Sequence, residues 1–323
     1  MNAAGTDGSA SAVAHPNLAL VKYWGKADVR RNLPATPSLG ISLAALRSDV
    51  HVRLDESGDS VELDGRSVDP ARYRAFLDEV RGRCETRSGF RIRARNDFPS
   101  AAGLASSSSG FAALAAACSR ACGVELGDTE LSALARVGSA SAARAVFGGF
   151  VTLPAGAETA SPLAPADAWP ELRVVVAVVS GAAKPIGSRE AMERVRLTSP
   201  AYDGWVRDSP RLYEEAAAAV RERDLARLGS AMRNSYSRMF ATMLAADPPI
   251  RYWLPETLML LAAVEELRAH GVAAWETMDA GPQVKVLCSE CDAQRVAAAL
   301  SASCPGKPPP IVSAVGPGVS RGG

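Results

Sequence analysis

Histidine is scarce in this sequence, and its charges are nearly balanced. The 323 residues include 3 histidines, His15, His51 and His270, and carry a formal net charge of +1. Histidines so far apart in the chain make a Ser-His-Asp or Cys-His catalytic apparatus a poor interpretation. The arginines are scattered and form no basic stripe, so no broad positive field is available to attract nucleic acid or anionic lipid. We therefore expect neither as a partner.

Long apolar runs and disulfide patterns are also lacking. No apolar run reaches the ~20 residues that a membrane-spanning helix needs, and the opening residues have neither the basic start nor the hydrophobic block of a signal peptide. Of 6 cysteines, Cys288 and Cys291 form one C-x-x-C pair. The pair has no second pair or nearby histidine to complete a zinc site. Reduced thiols in a cytoplasmic protein are the simpler interpretation.

Neither common nucleotide-loop pattern, G-x-x-x-x-G-K-[ST] or G-x-G-x-x-G, occurs between residues 96 and 110. This stretch instead predicts a strand, a loop of small residues and a helix. Arg91–Arg95 alternates polar and apolar residues, Pro99 ends the strand, and Phe111, Leu114 and Ala115 recur at helical spacing. Unpaired N–H groups at such a helix start favour phosphate binding. The alternative is that the small residues only permit close helix packing.

The chain length indicates two domains or one domain with two lobes. We interpret residues 1–14 as a disordered tail, 15–180 as an N-terminal lobe and 181–323 as a C-terminal lobe. The 47 % hydrophobic and 22 % charged residues are typical of a globular protein. Strands dominate before the boundary near Ser180, and helical periodicity dominates after it.

Four small-residue turns and one Ser-Arg pair carry groups suited to phosphate chemistry. Cations and N–H groups offset negative charge, hydroxyls position magnesium, and a carboxylate can act as a base. Each segment by itself has a simpler interpretation, as a turn, a solvated face or a surface ion pair. The segments are residues 22–26, 100–109, 139–144, 188–189 and 279–282.

Together these segments resemble one enzyme family. The motifs K-Y-W-G-K at 22–26, P-S-A-A-G-L-A-S-S at 99–107, S-A-S-A-A-R at 139–144 and D-A-G-P at 279–282 are similar to those of the diphosphomevalonate decarboxylase family, within the GHMP kinase superfamily. The P-x-x-x-G-L-x-S-S loop is shared by the superfamily, whereas K-Y-W-G-K and D-A-G-P point to the decarboxylase branch. The resemblance extends from about residue 15 to 315.

The resemblance implies an α+β, two-lobed GHMP kinase fold. Its N-terminal lobe would resemble domain 2 of ribosomal protein S5, its C-terminal lobe would be ferredoxin-like, and the site would lie in the cleft between them. It also implies ATP, Mg²⁺ and a homodimer. The implied reaction converts mevalonate 5-diphosphate and ATP to isopentenyl diphosphate, ADP, phosphate and CO₂.

The resemblance also implies a role for each matching residue. Asp279 would orient or deprotonate the 3-hydroxyl of the substrate, Lys22 would balance charge beside it, and Arg144 would hold the substrate carboxylate. The ATP phosphates would lie against Pro99, Ala101, Ala102, Gly103, Leu104, Ser106 and Ser107, with Ser106 or Ser107 on Mg²⁺. The diphosphate of the substrate would lie against Tyr23, Lys26, Ser139, Ser141, Ser188 and Arg189.

Two positions depart from the family pattern, and other activities remain open. Pro37 replaces a usually polar residue, which puts contacts from its loop in doubt. Gln283 replaces an asparagine, which would re-aim a hydrogen bond to Asp279 or to substrate. The alternatives are a mevalonate 5-phosphate decarboxylase, a mevalonate 3-kinase and a non-catalytic homologue. Joint retention of Lys22, Arg144 and Asp279 favours the full reaction.

Overall fold

A computed structural model describes residues 8–98 and 106–321. The elements up to residue 170 are β1 (Ser9–Ala14), β2 (Asn17–Val21), β3 (Lys26–Asp28), β4 (Leu33–Pro34), β5 (Ser38–Ser42), β6 (Ser48–Asp55), β7 (Ser60–Leu63), β8 (Arg66–Val68), α1 (Arg74–Cys84), β9 (Gly89–Asn96), α2 (Ser106–Ala121), α3 (Asp128–Gly138), α4 (Ala142–Ala145), β10 (Phe150–Leu153) and β11 (Ser161–Ala164). Short 3₁₀ helices occupy Pro70–Tyr73 and Ala166–Ala168.

The rest of the chain is richer in helix. Its elements are β12 (Leu172–Ala177), α5 (Ser188–Thr198), α6 (Tyr202–Glu222), α7 (Leu225–Leu244), α8 (Pro255–Ala269), β13 (Trp275–Thr277), β14 (Val284–Ser289), α9 (Glu290–Ser303), β15 (Ile311–Ala314) and β16 (Ser320–Arg321). None of the helices in the two described ranges combines the length and apolar character needed to cross a bilayer.

The first lobe is built on a six-stranded sheet in the order β16-β1-β6-β9-β7-β8. Side chains alternate along β6, so Val50 and Val52 point into the core while His51 and Arg53 face outward. Helix α2 covers the inner face, and the run Ala112–Cys118 is buried against it. Alanine side chains let the helix axis lie close to the sheet, which fixes the direction in which the start of α2 points.

The structure corrects the expected disordered tail over Ser9–Ala14, whereas residues 1–7 of that prediction lie outside the described residues. Ser9–Ala14 forms a strand that pairs antiparallel with β6 over its whole length, and Ala12 and Ala14 are 1 % and 0 % exposed. Serine and alanine have low strand propensity and little apolar surface, so the sequence pattern concealed this strand. The end of the chain also returns to the first lobe, because β16 pairs with the other edge of β1.

A second sheet joins the two halves of the chain. This sheet has the order β11-β10-β5-β2. Leu20 on β2 and Ile41 on β5 share a buried cluster with Ala216 on α6 and Met232 on α7. The second lobe adds an antiparallel sheet in the order β13-β14-β12-β15, packed against α7, α8 and α9. Because β12 pairs with β14 and β15, this lobe begins before the boundary expected near Ser180. The fold is thus two-lobed α+β, as the sequence predicted.

Polar contacts between the halves fix the end of β2. The backbone N–H of Lys22 donates to Ser235 Oγ on α7 at 2.8 Å, and Trp205 Nε1 on α6 donates to the carbonyl oxygen of Trp24 at 2.9 Å. The chain after β2 is therefore held by the second lobe. This contact brings the K-Y-W-G-K motif to the junction of the lobes.

A buried carboxylate network supports the strand that leads to the D-A-G-P turn. Glu276 on β13 has a side chain only 2 % exposed and pairs with Arg233 on α7 and Arg268 on α8, each at 2.5 Å. The hydroxyl of Tyr236 also donates to Glu276 at 3.1 Å. The network ties two helices to β13 and so fixes the strand three residues before Asp279.

We expect Glu276→Ala to lower the free energy of unfolding by about 3 kcal/mol, the lower end for a broken buried ion pair, because Arg268 and Arg233 lose their counter-charge while being 17 % and 37 % exposed. Urea unfolding followed by circular dichroism measures this loss. Glu265→Ala is the matched control, since Glu265 also pairs with Arg233 but its side chain is 63 % exposed. The control should change stability by less than about 0.5 kcal/mol. Equal losses for both variants would contradict a special role for the buried network.

Candidate active site

A cavity of about 590 Å³ is lined by residues from both halves of the chain. The predicted site residues within the described ranges all line it, namely Lys22, Tyr23, Lys26, Ser106, Ser107, Ser139, Ser141, Arg144, Ser188, Arg189 and Asp279. The other five predicted residues, Pro99, Ala101, Ala102, Gly103 and Leu104, lie outside the described residues. Segments more than a hundred residues apart in sequence thus meet at one place.

The carboxylate of Asp279 is held between two lysines in this cavity. Lys22 Nζ lies 2.9 Å from Asp279 Oδ1, and Lys285 Nζ lies 3.2 Å from Asp279 Oδ2. Burial alone would raise the pKa of Asp279, but the two ammonium groups hold that pKa well below its usual range. Burial in turn lowers the pKa of Lys22 to about 8, although Asp279 opposes the change. At neutral pH Asp279 is therefore a carboxylate and Lys22 an ammonium group.

Arg144, on the short helix α4, is one of the residues that line the cavity. Its Nε donates to Asn17 Oδ1 at 2.8 Å and its Nη1 donates to Ser38 Oγ at 2.6 Å. The residue is 1 % exposed, and burial lowers the pKa of its guanidinium to about 10. A Cβ atom on Gly40 would lie 2.1 Å from Asn17 Oδ1, so this close approach requires glycine on β5. The guanidinium remains charged at neutral pH and is fixed in orientation.

Three buried polar atoms of residues that line the cavity lack a partner among the described residues. They are Asn17 Nδ2, the hydroxyl of Tyr23 and Trp24 Nε1. Asn17 is 2 % exposed, and burial raises the pKa of Tyr23 above its usual range. Buried donors without acceptors cost free energy, so such groups are typical of binding sites that a ligand completes. All three atoms can donate hydrogen bonds.

More cations and hydroxyls line another part of the cavity. Lys184 Nζ donates to Ser188 Oγ at 2.8 Å, where α5 begins. Burial, reinforced by Arg189, lowers the pKa of Lys26 to about 8. Ser139 Oγ and Ser141 Oγ are 3.1 Å apart at the turn before α4. This concentration of positive charge and donors suits a ligand with several negative oxygens.

The start of α2 adds serine hydroxyls to the lining of the cavity. Ser106 and Ser107 line the cavity, whereas Ser108 Oγ accepts from the N–H of Asn17 at 3.1 Å and Ser109 Oγ bonds Ser48 Oγ at 2.7 Å. The first two serines are thus available to a ligand, and the next two fix the helix to β2 and β6.

These residues fit a magnesium nucleotide. Hydroxyl oxygens suit Mg²⁺, which binds through a few protein ligands and the phosphates of its nucleotide. Within residues 8–98 and 106–321, no three histidine, cysteine, aspartate or glutamate side chains form a metal-binding group. Cys288 is buried and Cys291 exposed, both as free thiols.

Sequence reasoning did not identify Lys285, Lys184 and Asn17 as members of the site. Lys285 had a usable signal, because it interrupts the apolar strand V-K-V-L-C, and lysine is almost never fully buried unless it is paired. Lys184 and Asn17 had no comparable signal. Their importance comes from neighbours that are distant in sequence.

The two departures from the family pattern have structural explanations. Gln283 Oε1 accepts from the N–H groups of Val179 and Ser180, and its Nε2 donates to the carbonyl oxygen of Ser180. These bonds anchor the D-A-G-P turn to the chain that follows β12. Pro37 is buried, and the next residue, Ser38, contacts Arg144 directly. The loop of Pro37 therefore still contributes a hydroxyl to the site.

The architecture and the cavity define a class of protein. Two α+β lobes enclose a clamped carboxylate, a fixed guanidinium and the start of a serine-rich helix. This is the GHMP kinase fold, as the match to solved structures shows.

Comparison with known proteins narrows the class to one family. The diphosphomevalonate decarboxylase-like N-terminal domain matches residues 14–164, and the mevalonate 5-diphosphate decarboxylase C-terminal domain matches residues 174–313. The diphosphomevalonate decarboxylase of Candida albicans is 33 % identical over 90 % of this chain and 87 % of its own length. That of Bos taurus is 33 % identical over 90 % and 79 %. The chain belongs to the diphosphomevalonate decarboxylase family.

Solved structures agree with this assignment. The mevalonate diphosphate decarboxylase from Enterococcus faecalis superposes with a TM-score of 0.89 at 36 % identity, covering 97 % of this chain and 98 % of its own. The enzyme from Staphylococcus aureus gives a TM-score of 0.90 at 35 % identity, covering 97 % of each chain. A further structure, of MDDEF in complex with MVAPP, AMPPCP and magnesium, has a TM-score of 0.90 at 37 % identity and covers 97 % of this chain and 98 % of its own.

Proposed function

We propose that this chain converts mevalonate 5-diphosphate and ATP to isopentenyl diphosphate, ADP, phosphate and CO₂, a step of the mevalonate pathway of isoprenoid biosynthesis. The observation that carries the proposal is the clamped carboxylate of Asp279 in the same cavity as Arg144 and the start of α2. The family assignment supports the same reaction.

ATP binds at the start of α2, with Ser106 and Ser107 toward its phosphates. The N–H groups of a helix start and its partial positive charge favour phosphate oxygens. Magnesium, when bound with ATP, neutralises charge on the transferring phosphoryl group. The related structure of MDDEF in complex with AMPPCP and magnesium supports binding of a magnesium nucleotide.

Asp279 orients the 3-hydroxyl of the substrate for attack on the γ-phosphoryl group. A carboxylate whose pKa is held low by two ammonium groups is a weak base. Phosphoryl transfer passes through a loose transition state and depends mainly on position and charge, so a weak base suffices. Lys22 lies beside this carboxylate and offsets the charge of the phosphoryl group.

Arg144 holds the carboxylate of the substrate. Two of its N–H groups are engaged by Asn17 and Ser38, which fixes the plane of the guanidinium. The planar fork of arginine matches the two oxygens of a carboxylate. When the 3-phosphate departs, positive charge develops at C3 and the electrons of the breaking carbon–carboxylate bond neutralise it as CO₂ leaves.

The diphosphate of the substrate binds among the remaining donors of the cavity, Tyr23, Lys26, Ser139, Ser141, Ser188 and Arg189. Their shared property is an N–H or O–H group that lines one enclosed space. Holding the diphosphate also fixes the reacting carbons, because binding energy from this distant part of the substrate offsets the entropic cost of orienting the reacting atoms.

Three substrates test the proposal. Purified protein with ATP and magnesium should release ADP and CO₂ in equal amounts from mevalonate 5-diphosphate. The monophosphate should react at least about 10²-fold less efficiently in kcat/KM, because charged donors in the cavity lose their partners. Turnover of the monophosphate alone would assign the chain to the sister decarboxylases. ADP release without CO₂ would indicate a kinase, and no reaction with mevalonate or either phosphate would indicate a binding protein.

Burial of two lysines predicts a basic limb in the pH profile. The pKa of Lys22 and that of Lys26 are each lowered to about 8, so both groups are charged below this pH and neutral above it. The positive charge of Lys22 at the phosphoryl group and that of Lys26 at the diphosphate are therefore present below pH 8 and lost as the pH rises. We expect kcat/KM for mevalonate 5-diphosphate to fall above pH ~8, since this ratio reports the free enzyme.

The slope of that limb separates the two lysines. In the unaltered protein, the slope of log(kcat/KM) against pH should approach about −2 on the basic side. Lys26→Arg should give a slope of about −1, because arginine keeps its charge. A profile that stays flat to about pH 9.5 would show that neither ammonium group contributes to substrate binding.

We further propose a cytoplasmic homodimer. Five large apolar side chains near the end of α7 and the start of α8 are exposed, and we propose that they form the dimer patch: Leu244, Trp253, Leu254, Leu258 and Met259. Arg251 and Glu265, both exposed, provide charges of both signs nearby, which suits pairing of the patch with itself. Sedimentation of Leu258→Glu should show a monomer where the unaltered protein shows a dimer.

The free thiols of the cysteines support the cytoplasmic location, because they agree with a reducing compartment.

A further inference from the structure

We propose that Lys285 is a positioning residue, which holds the Asp279 carboxylate in place for phosphoryl transfer when Lys22 engages the nucleotide. This inference rests on the proposed function. It assigns a task to a buried lysine that the mechanism above does not use. Lys285 does not line the cavity, but its Nζ lies 3.2 Å from Asp279 Oδ2 and its side chain is 2 % exposed.

The sheet of the second lobe places Lys285 beside Asp279. Lys285 on β14 is the register partner of Thr277 on β13 and of Val176 on β12. The backbone of Lys285 is therefore fixed by a strand on each side. Asp279 follows Thr277 by two residues, so the same ladder sets the distance between the ammonium group and the carboxylate.

Lys22 is attached differently. It follows β2 in the first lobe and reaches Asp279 across the junction of the lobes, while its ammonium group also donates to the carbonyl oxygen of Ala19 at 2.6 Å. Lys285 and Asp279 belong to one lobe and one sheet. A change in the position of the first lobe or of Lys22 therefore leaves the Lys285 contact intact.

The charges around Asp279 make a second lysine useful. Lys22, Lys285, Lys184 and Arg144 all act on this carboxylate from different elements. An incoming γ-phosphoryl group is more highly charged than a carboxylate and competes for Lys22, Lys184 and Arg144, which line the cavity. Lys285 lies behind the carboxylate, so it remains paired with Asp279. Without it, burial would favour the protonated carboxyl group, which orients the hydroxyl poorly.

The test compares Lys285→Met and Lys285→Arg with Lys307→Met. Lys307 pairs with Glu256 at 2.9 Å and does not line the cavity, so it is the matched control. We expect Lys285→Met to lower kcat by about 10- to 100-fold, a part of the 10²–10⁴ that proton-transfer residues contribute. The KM for ATP should change less than about threefold, because phosphate contacts are unaltered.

The pH profile distinguishes positioning from a purely structural role. In Lys285→Met, the pH below which kcat falls should be higher by about one pH unit or more, because the Asp279 carboxylate loses an opposite charge beside it. Lys285→Arg keeps the charge and should retain the acid limb of the unaltered protein. Lys307→Met should match the unaltered protein in both respects. A kcat within about twofold of the unaltered protein, or an unmoved acid limb in Lys285→Met, would overturn the inference.

Folding and function are checked separately. Thermal unfolding and binding of a fluorescent ATP analogue report whether Lys285→Met is folded. If Lys285→Met is not folded, Lys285→Arg provides the test. A shift of the acid limb of its kcat to higher pH, despite the retained charge, would overturn the inference. If the unaltered protein releases no CO₂ from mevalonate 5-diphosphate, the proposed function fails. If it does so and Lys285→Met is unimpaired, only this inference fails.

Discussion

Replacing Asp279 with alanine should lower kcat by about 10²–10⁴-fold while ATP binding stays close to normal, because the carboxylate acts on the substrate hydroxyl and not on the nucleotide. The side chain lies between Lys22 and Lys285, so its removal also leaves two buried ammonium groups without their counter-charge. Steady-state release of ADP and CO₂ measures the first effect. Equilibrium titration with a fluorescent ATP analogue measures the second.

Asp279→Asn is the matched control for this variant. The amide keeps the shape and one acceptor oxygen but cannot take a proton or carry charge. We expect its kcat to be reduced nearly as far as that of Asp279→Ala, with a smaller loss of thermal stability. A kcat of either variant within about threefold of the unaltered value would remove Asp279 from the proposed mechanism.

Replacing Arg144 with methionine should lower kcat/KM for mevalonate 5-diphosphate by about 10²–10³-fold, the cost of losing one fixed donor at a developing charge. The variant should also release less CO₂ than ADP, because the substrate carboxylate is no longer held in line with the departing phosphate. Measuring both products in the same reaction reveals this uncoupling. The Asp279 variants should not show it, since they block the earlier step.

Arg144→Lys tests whether charge alone is sufficient. A lysine retains the positive charge but cannot donate to Asn17 and Ser38 in the fork geometry of the guanidinium. We expect it to recover less than about one tenth of the lost kcat/KM. Thermal unfolding of both variants controls for the hydrogen bonds that Asn17 and Ser38 lose. Full activity of Arg144→Met would show that the substrate carboxylate binds elsewhere.

Local sequence patterns predicted secondary structure correctly where neighbouring residues determine the backbone conformation. Helical spacing predicted α2, and the turn predicted at 279–282 lies in the break between β13 and β14. The same patterns failed at β1, where Ser and Ala give a weak signal and pairing with β6 decides the conformation. Strand formation there depends on a partner about forty residues away.

The candidate site likewise contains residues that the sequence identified and residues that only the tertiary structure identified. The residue types and motifs that carry charge were visible in the sequence, and every one of them within the described ranges lines the cavity. Lys285 was not recognised, because its importance comes from Asp279 rather than from its own neighbours in the chain. Asn17 was missed as a site residue for the same reason, since its role depends on Arg144, 127 residues later.

The sequence by itself determined the two-lobed class of fold, the family and the chemical groups available for phosphoryl transfer, because these depend on residue types and short spacings. Only the tertiary structure decided how those groups act together. Burial and the sheet register place two ammonium groups on one carboxylate and fix the plane of one guanidinium, and both the acidity of Asp279 and the orientation of Arg144 follow from contacts between distant parts of the chain.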